Sequence, residues 1–125
     1  MKRLKTEPTD DSPYILLDKA TGTFEIAGKS LPEDVAGFFE PVIDWLEAYA
    51  KDPLDQTDLL FRLVYFNTAS SKLILDILMI MEEIKESGKG VTVHWHSPAK
   101  DEDMQEAGEE YAEMVEVDFV HETYD

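Results

Sequence analysis

This chain's pattern predicts an α/β fold, a mixed and partly parallel sheet of about five strands with helices packed against it. Three observations lead there. Apolar runs of strand length recur along the chain, stretches with apolar residues at three- and four-residue spacing separate the later ones, and turn residues stand between them. The order read from this is β-β-α-β-α-β-α-β. Strands that alternate with helices need crossover connections, and these are right-handed in nearly all known cases.

Residues 1–12 are polar, carry Pro8 and end in Asp10-Asp11-Ser12-Pro13. They are expected as a flexible lead-in, with residues 13–125 as one domain. Tyr14-Ile15-Leu16-Leu17 and the alternating Phe24-Glu25-Ile26-Ala27-Gly28 flank a glycine-containing turn, which predicts a hairpin. Ser30-Leu31-Pro32-Glu33 has capping-box spacing, a serine followed three residues later by glutamate. The first helix is therefore expected to start there. Its inward stripe is Val35, Phe38, Phe39, Val42, Ile43, Leu46 and Tyr49, with an end near Lys51; Pro41 inside it removes a backbone donor and should kink the helix or split off its first turn. Leu59 to Phe66 is apolar except for Arg62 and predicts a central strand covered on at least one side. Asn67-Thr68-Ala69-Ser70-Ser71 can cap the next helix, whose stripe runs Leu73, Ile74, Ile77, Leu78, Ile80, Met81 and Ile84 before Gly88 stops it. Val91 to His96 is a further strand. An acidic helix over 101–114, with Met104, Ala107, Tyr111 and Met114 inward, precedes a last strand at 115–120.

Composition narrows the function. The chain has 125 residues, 28 acidic against 11 basic, and a formal charge of −17. Such a surface repels phosphate backbones and anionic lipid, so nucleic acid is not an expected partner. With no cysteine, thiolate metal sites and cysteine nucleophiles are excluded. The basic opening Met1-Lys2-Arg3-Leu4-Lys5 runs into Thr6-Glu7-Pro8 rather than an apolar stretch, and no segment approaches the roughly 20 apolar residues of a membrane span. The expectation is a cytoplasmic chain with no membrane insertion.

Few motifs suggest chemistry. Gly88-Lys89-Gly90 lacks Walker spacing, and no nucleophile elbow or dinucleotide fingerprint occurs. His94 and His96 share one face of a strand around Trp95. A metal-dependent hydrolase built on them would need a third ligand from the carboxylates; the plainer reading is solvent-side polar residues on a strand whose tryptophan faces the core. Residues 101–125 hold eleven carboxylates and no lysine or arginine, a solvated face or a dock for a basic partner. The remaining feature is Phe66 to Lys72, where a buried strand hands over to a helix. Open α/β sheets gather their functional sites at this edge, and a helix start favours negative charge. A phosphate on Thr68 or Ser70 would add about −1.5 to −2 charges there.

At these residues the chain resembles the SiaC family of regulatory phosphoproteins. The resemblance rests on Asn67-Thr68-x-Ser70-x-Lys72 with Leu75-Asp76-Ile77-Leu78, on Ser30-Leu31-Pro32-Glu33 (the family has Ser-Tyr-Pro-Glu), on Val42-Ile43-Asp44-Trp45-Leu46-Glu47 and on Trp95-His96. Leu31 replaces the family's aromatic residue, and Ala69 stands where a serine is usual. The resemblance implies a STAS-like fold and a non-enzymatic switch without cofactor or metal. It implies phosphorylation of Thr68, or less directly of Ser70 or Ser71, with Asn67, Ser70 and Lys72 shaping the surroundings and the partner surface. A serine/threonine kinase would add the phosphate and a PP2C-type phosphatase would remove it. A diguanylate cyclase would be the effector, linking the chain to cyclic di-GMP and biofilm formation. An anti-sigma-factor antagonist that binds an anti-sigma kinase is the alternative.

Overall fold

The structure, a computed structural model, describes residues 1–125. Six strands, β1 (Leu4–Thr6), β2 (Tyr14–Asp18), β3 (Thr23–Ser30), β4 (Gln56–Phe66), β5 (Gly90–Pro98) and β6 (Asp118–Tyr124), lie side by side in chain order. β1, β2 and β3 run antiparallel to one another, and β3 through β6 are parallel. Helices α1 (Val35–Tyr49), α2 (Thr68–Glu86) and α3 (Glu102–Met114) make the three crossovers. Each crossover advances one strand in the same direction, so a constant hand puts all three helices on one face.

Burial along the strands records this one-sided cover. Thr57, Leu59, Phe61 and Leu63 of β4 and Val91, Val93, Trp95 and Ser97 of β5 are buried, while Asp58, Arg62, His94 and His96 between them are half-buried or exposed. The alternation is that of strands with one face against the core. The apolar Leu60 is only half-buried on the open face, so the apolar run of β4 does not mark cover on both sides.

Several expectations change. The lead-in contributes β1, where Leu4 pairs with Leu17, and the Lys2 carbonyl accepts the Trp45 indole N–H at 2.7 Å. The sheet therefore has six strands, and a strand precedes the predicted hairpin. Ser30 does not cap α1. It is the last residue of β3, fully buried, and Asp34 caps α1 by accepting the Gly37 N–H at 3.1 Å. Pro41 lies inside α1 without dividing it. Met114 sits at the C-terminal end of α3 and is exposed, so the inner face of α3 is Met104, Gly108 and Tyr111.

The core fills the space between the helices and the covered face. Trp95 is its largest member; its indole N–H donates to the Met104 carbonyl at 2.9 Å, tying β5 to α3. α3 can approach this closely because residue 108 is glycine. A β-carbon there would fall 2.4 Å from the Trp95 ring. At the α1 end, Tyr49 shares a 2.7 Å hydrogen bond with Thr57 and accepts the Leu54 N–H. No helix is long and apolar enough to cross a membrane.

Candidate functional site

The site grows from an irregularity in strand pairing. β3 and β4 are in register from Phe24–Leu59 to Gly28–Leu63, then Lys29 pairs with Tyr65, leaving Val64 as an extra residue. Gly28 has φ +100, a backbone state that favours glycine. The bulge turns Phe66 inward, where its ring lies 6.4 Å from both Trp95 and Tyr111, and sets Ser30 opposite Phe66. The chain then turns directly into α2.

Asn67 is the N-cap, its side-chain oxygen accepting the Ser70 N–H at 2.8 Å. Such a bond satisfies one of the donors that a helix start leaves without a partner. The Asn67 N–H donates to the Ser30 carbonyl at 3.0 Å, and the Ser70 hydroxyl donates to that same carbonyl at 2.8 Å. The Ser30 hydroxyl in turn donates to Ser70 Oγ at 2.9 Å. On the other side, Tyr111 of α3 donates its phenol to the Ser71 carbonyl at 2.9 Å. Burial pushes the Tyr111 phenol up to about 12, against a lowering from its Ser71 contact and with the Glu110 charge adding to the rise, so this donor keeps its proton well into the alkaline range.

Thr68, the first residue of α2, is exposed on this tethered turn, as are Ala69 and Lys72. Ser71 is half-buried, and its hydroxyl donates to the Thr68 carbonyl at 3.0 Å. Ser70 is fully buried with its hydroxyl engaged on Ser30, so in the folded chain it is neither open to a modifying enzyme nor part of the surface. Asn67, Thr68 and Lys72 are thus brought together at the surface, and Ser70 is removed from it. Beside them a shallow cleft of about 200 Å³ is lined by Phe66, Ser71, Ala107, Glu110, Tyr111 and Met114. The first turn of α2 carries no acidic residue.

The two histidines take another role. His94 meets Asp58 at 2.9 Å and His96 meets Glu122 at 2.9 Å, both pairs on the open face. No group of three or more His, Asp or Glu side chains converges, so the third ligand that the metal reading required is missing. His121 lies opposite Trp95 in the β5–β6 register and points to the other face. Ser30 and Tyr111 are the site residues that sequence reasoning missed. The spacing of Ser30 to Glu33 points to a helix start instead, and nothing in the spacing of Tyr111 distinguishes a core tyrosine from one whose hydroxyl tethers a neighbouring helix.

Fold and site together define a one-sided α/β domain that presents a capped, hydroxyl-bearing turn where β4 hands over to α2. A family model described as SiaC family regulatory phosphoprotein matches residues 6–124, and the chain belongs to that family. An uncharacterized protein of Pseudomonas aeruginosa (strain UCBPP-PA14) is 34% identical over 125 residues, covering 100% of this chain and 99% of its own. Apo-SiaC from Pseudomonas aeruginosa superposes with a TM-score of 0.90 at 33% identity, over 98% of this chain and 99% of that one. SiaC in complex with the diguanylate cyclase SiaD, of which it is the activator, gives 0.91 at 33% identity over 97% and 99%.

Proposed function

We infer that this chain is a switch whose binding to an effector is set by phosphorylation of Thr68. The observation that carries the reading is accessibility: Thr68 is exposed at the first residue of α2, whereas Ser70 is buried and the Ser71 hydroxyl is engaged. A phosphate at this position adds about −1.5 to −2 charges beside a helix start that tolerates them. The modification therefore spares the fold and acts on whatever docks against the turn. A partner seated there in the unmodified state would have to bury a dianion, and a desolvated, unpaired charge is costly. A population swing of about 10⁴ needs roughly 5.5 kcal/mol of differential affinity. Asn67 and Lys72 border the hydroxyl and belong to the docking surface.

The effector proposed is a diguanylate cyclase, because a relative at 33% identity with the same fold is the activator of one. A serine/threonine kinase and a PP2C-type phosphatase complete the circuit, this chain acts in the cytoplasm, and it catalyses nothing itself. Two measurements test this. Intact mass and site mapping after incubation with kinase and ATP should place one phosphate on Thr68. In a pulldown with a purified cyclase, Thr68→Ala should bind like the unmodified chain and Thr68→Asp should not. Equal binding by both variants refutes the switch; the same pattern of binding to a purified anti-sigma kinase, with none to the cyclase, would move the switch to the other effector.

A further inference from the structure

The buried Ser30–Ser70 pair goes unused in the switch as described. These residues are 40 apart in sequence, both 0% exposed, and every hydrogen bond that either hydroxyl makes goes to the other residue. A polar pair in an apolar interior must be satisfied, and satisfied buried networks fix one geometry. Ser30 also receives the Asn67 N–H on its carbonyl. Three hydrogen bonds therefore connect one residue of β3 to the two residues that bracket Thr68 and Ala69. Nothing else in the molecule binds the hydroxyl-bearing turn so densely; on the far side it has the single Tyr111 bond.

We propose that Ser30 is a positioning residue for Thr68: with Ser70 it clamps the first turn of α2 to the end of β3, holding the Thr68 side chain outward in one orientation. The inference rests on the reading of Thr68 as the switch and adds to it a reason for specificity. A hydroxyl or phosphate on a clamped turn cannot be drawn as an extended segment into a general-purpose enzyme. It has to be recognised in its folded frame, which restricts its turnover to enzymes built to fit that frame.

The test uses the full chain with phosphothreonine encoded at position 68, alone and combined with Ser30→Ala or Ser70→Ala. Two readouts are taken: amide hydrogen exchange along α2, and removal of the phosphate by a broad-specificity PP2C-type phosphatase. The clamp predicts that exchange of the amides at positions 70 and 71 rises about tenfold in Ser30→Ala, which loses only the bond between the two hydroxyls, and further in Ser70→Ala, which also loses the bond to the Ser30 carbonyl, while Ile77 to Met81 keep their rates. Tenfold is the factor that one ordinary hydrogen bond confers on a local opening equilibrium. It also predicts that kcat/KM for phosphate removal rises about tenfold, mainly through KM. Exchange that stays unchanged, or that rises in step through all of α2, overturns the proposal, since the pair would then be inert or merely a source of global stability. Local loosening with no change in phosphatase kinetics overturns it as well. Because the phosphate is encoded, failure of the switch reading shows separately, as an effector that binds the phosphorylated and bare chains alike.

Discussion

The two faces of the sheet are made from alternate residues of the same strands, yet they hold their polar groups in opposite ways. On the covered face, the polar groups of Trp95, Tyr49, Ser30 and Ser70 are enclosed and each has a partner fixed by the fold. No buried side-chain polar atom is left without one. On the open face, His94–Asp58, His96–Glu122 and Arg62 over the Tyr124 ring at 4.2 Å are contacts with water alongside. A polar contact specifies structure where its loss would strand a group away from water, and contributes little where water can replace the partner. The switch turn lies where these regimes meet: its anchors belong to the covered side and its hydroxyl to the solvent.

The largest effects should therefore come from the covered side. Trp95→Ala removes the central side chain and the bond that seats α3, and should lower stability by about 4 kcal/mol in urea unfolding. Gly108→Ala approaches the same contact from the helix, putting a β-carbon 2.4 Å from an indole ring that is itself fully enclosed. A loss of about 2 kcal/mol is expected. The double variant Gly108→Ala/Trp95→Phe should recover part of that loss, because the smaller ring makes room. Next in size is the cap. Asn67→Ala should lower stability by about 1 kcal/mol in thermal unfolding, since the Ser70 N–H loses its acceptor while the backbone bond to Ser30 remains.

Tyr111 offers a test by pH. In the unfolded chain a tyrosine loses its proton near pH 10, and in the folded one burial holds it until about 12. The unfolded state therefore binds fewer protons in that interval, and stability falls as pH rises through it. The contribution is fully present below pH 10 and gone above the folded value. Tyr111→Phe removes this group, so its stability should decline less steeply between pH 10 and 12 than that of the parent. Equal slopes in urea titrations at several pH values would show that burial does not hold the phenol protonated.

The strands and helices read from the sequence are those whose patterns repeat: β2 through β5 and the three helices all show one apolar side. β1 escaped because Leu4-Lys5-Thr6 has no pattern of its own; only its pairing with Ile15–Leu17 across the ladder makes it a strand. Ser30 misled for a related reason. Its spacing to Glu33 suits a cap, but extension of β3 opposite the bulged β4 holds it in a strand, and helix initiation passes to Asp34. Met114 follows Tyr111 at helical spacing, yet α3 ends there and the side chain stays exposed. At the site, the exposed turn was legible since it follows from a strand ending and a helix beginning. Which of its hydroxyls faces water was not, because that depends on Ser30, forty residues away, and on a one-residue bulge.

The smallest expected effect is the one that most sharpens the contrast between the faces. His94 and His96 sit side by side along β5, each within 2.9 Å of a carboxylate from a neighbouring strand. That layout would be decisive if it were buried. The carboxylate side chains are 52% and 59% exposed, however, so water solvates them whether or not the imidazole is present. His94→Gln and His96→Gln, alone or together, should each change stability by less than about 0.5 kcal/mol at neutral pH. The readout is the urea midpoint at low and high salt, where the small difference from the parent should shrink further as ionic strength rises. A loss of several kcal/mol from either variant would mean that the open face is shielded in solution, by a partner or a second copy of the chain. The division between specifying and dispensable polar contacts would then have to be redrawn around that cover.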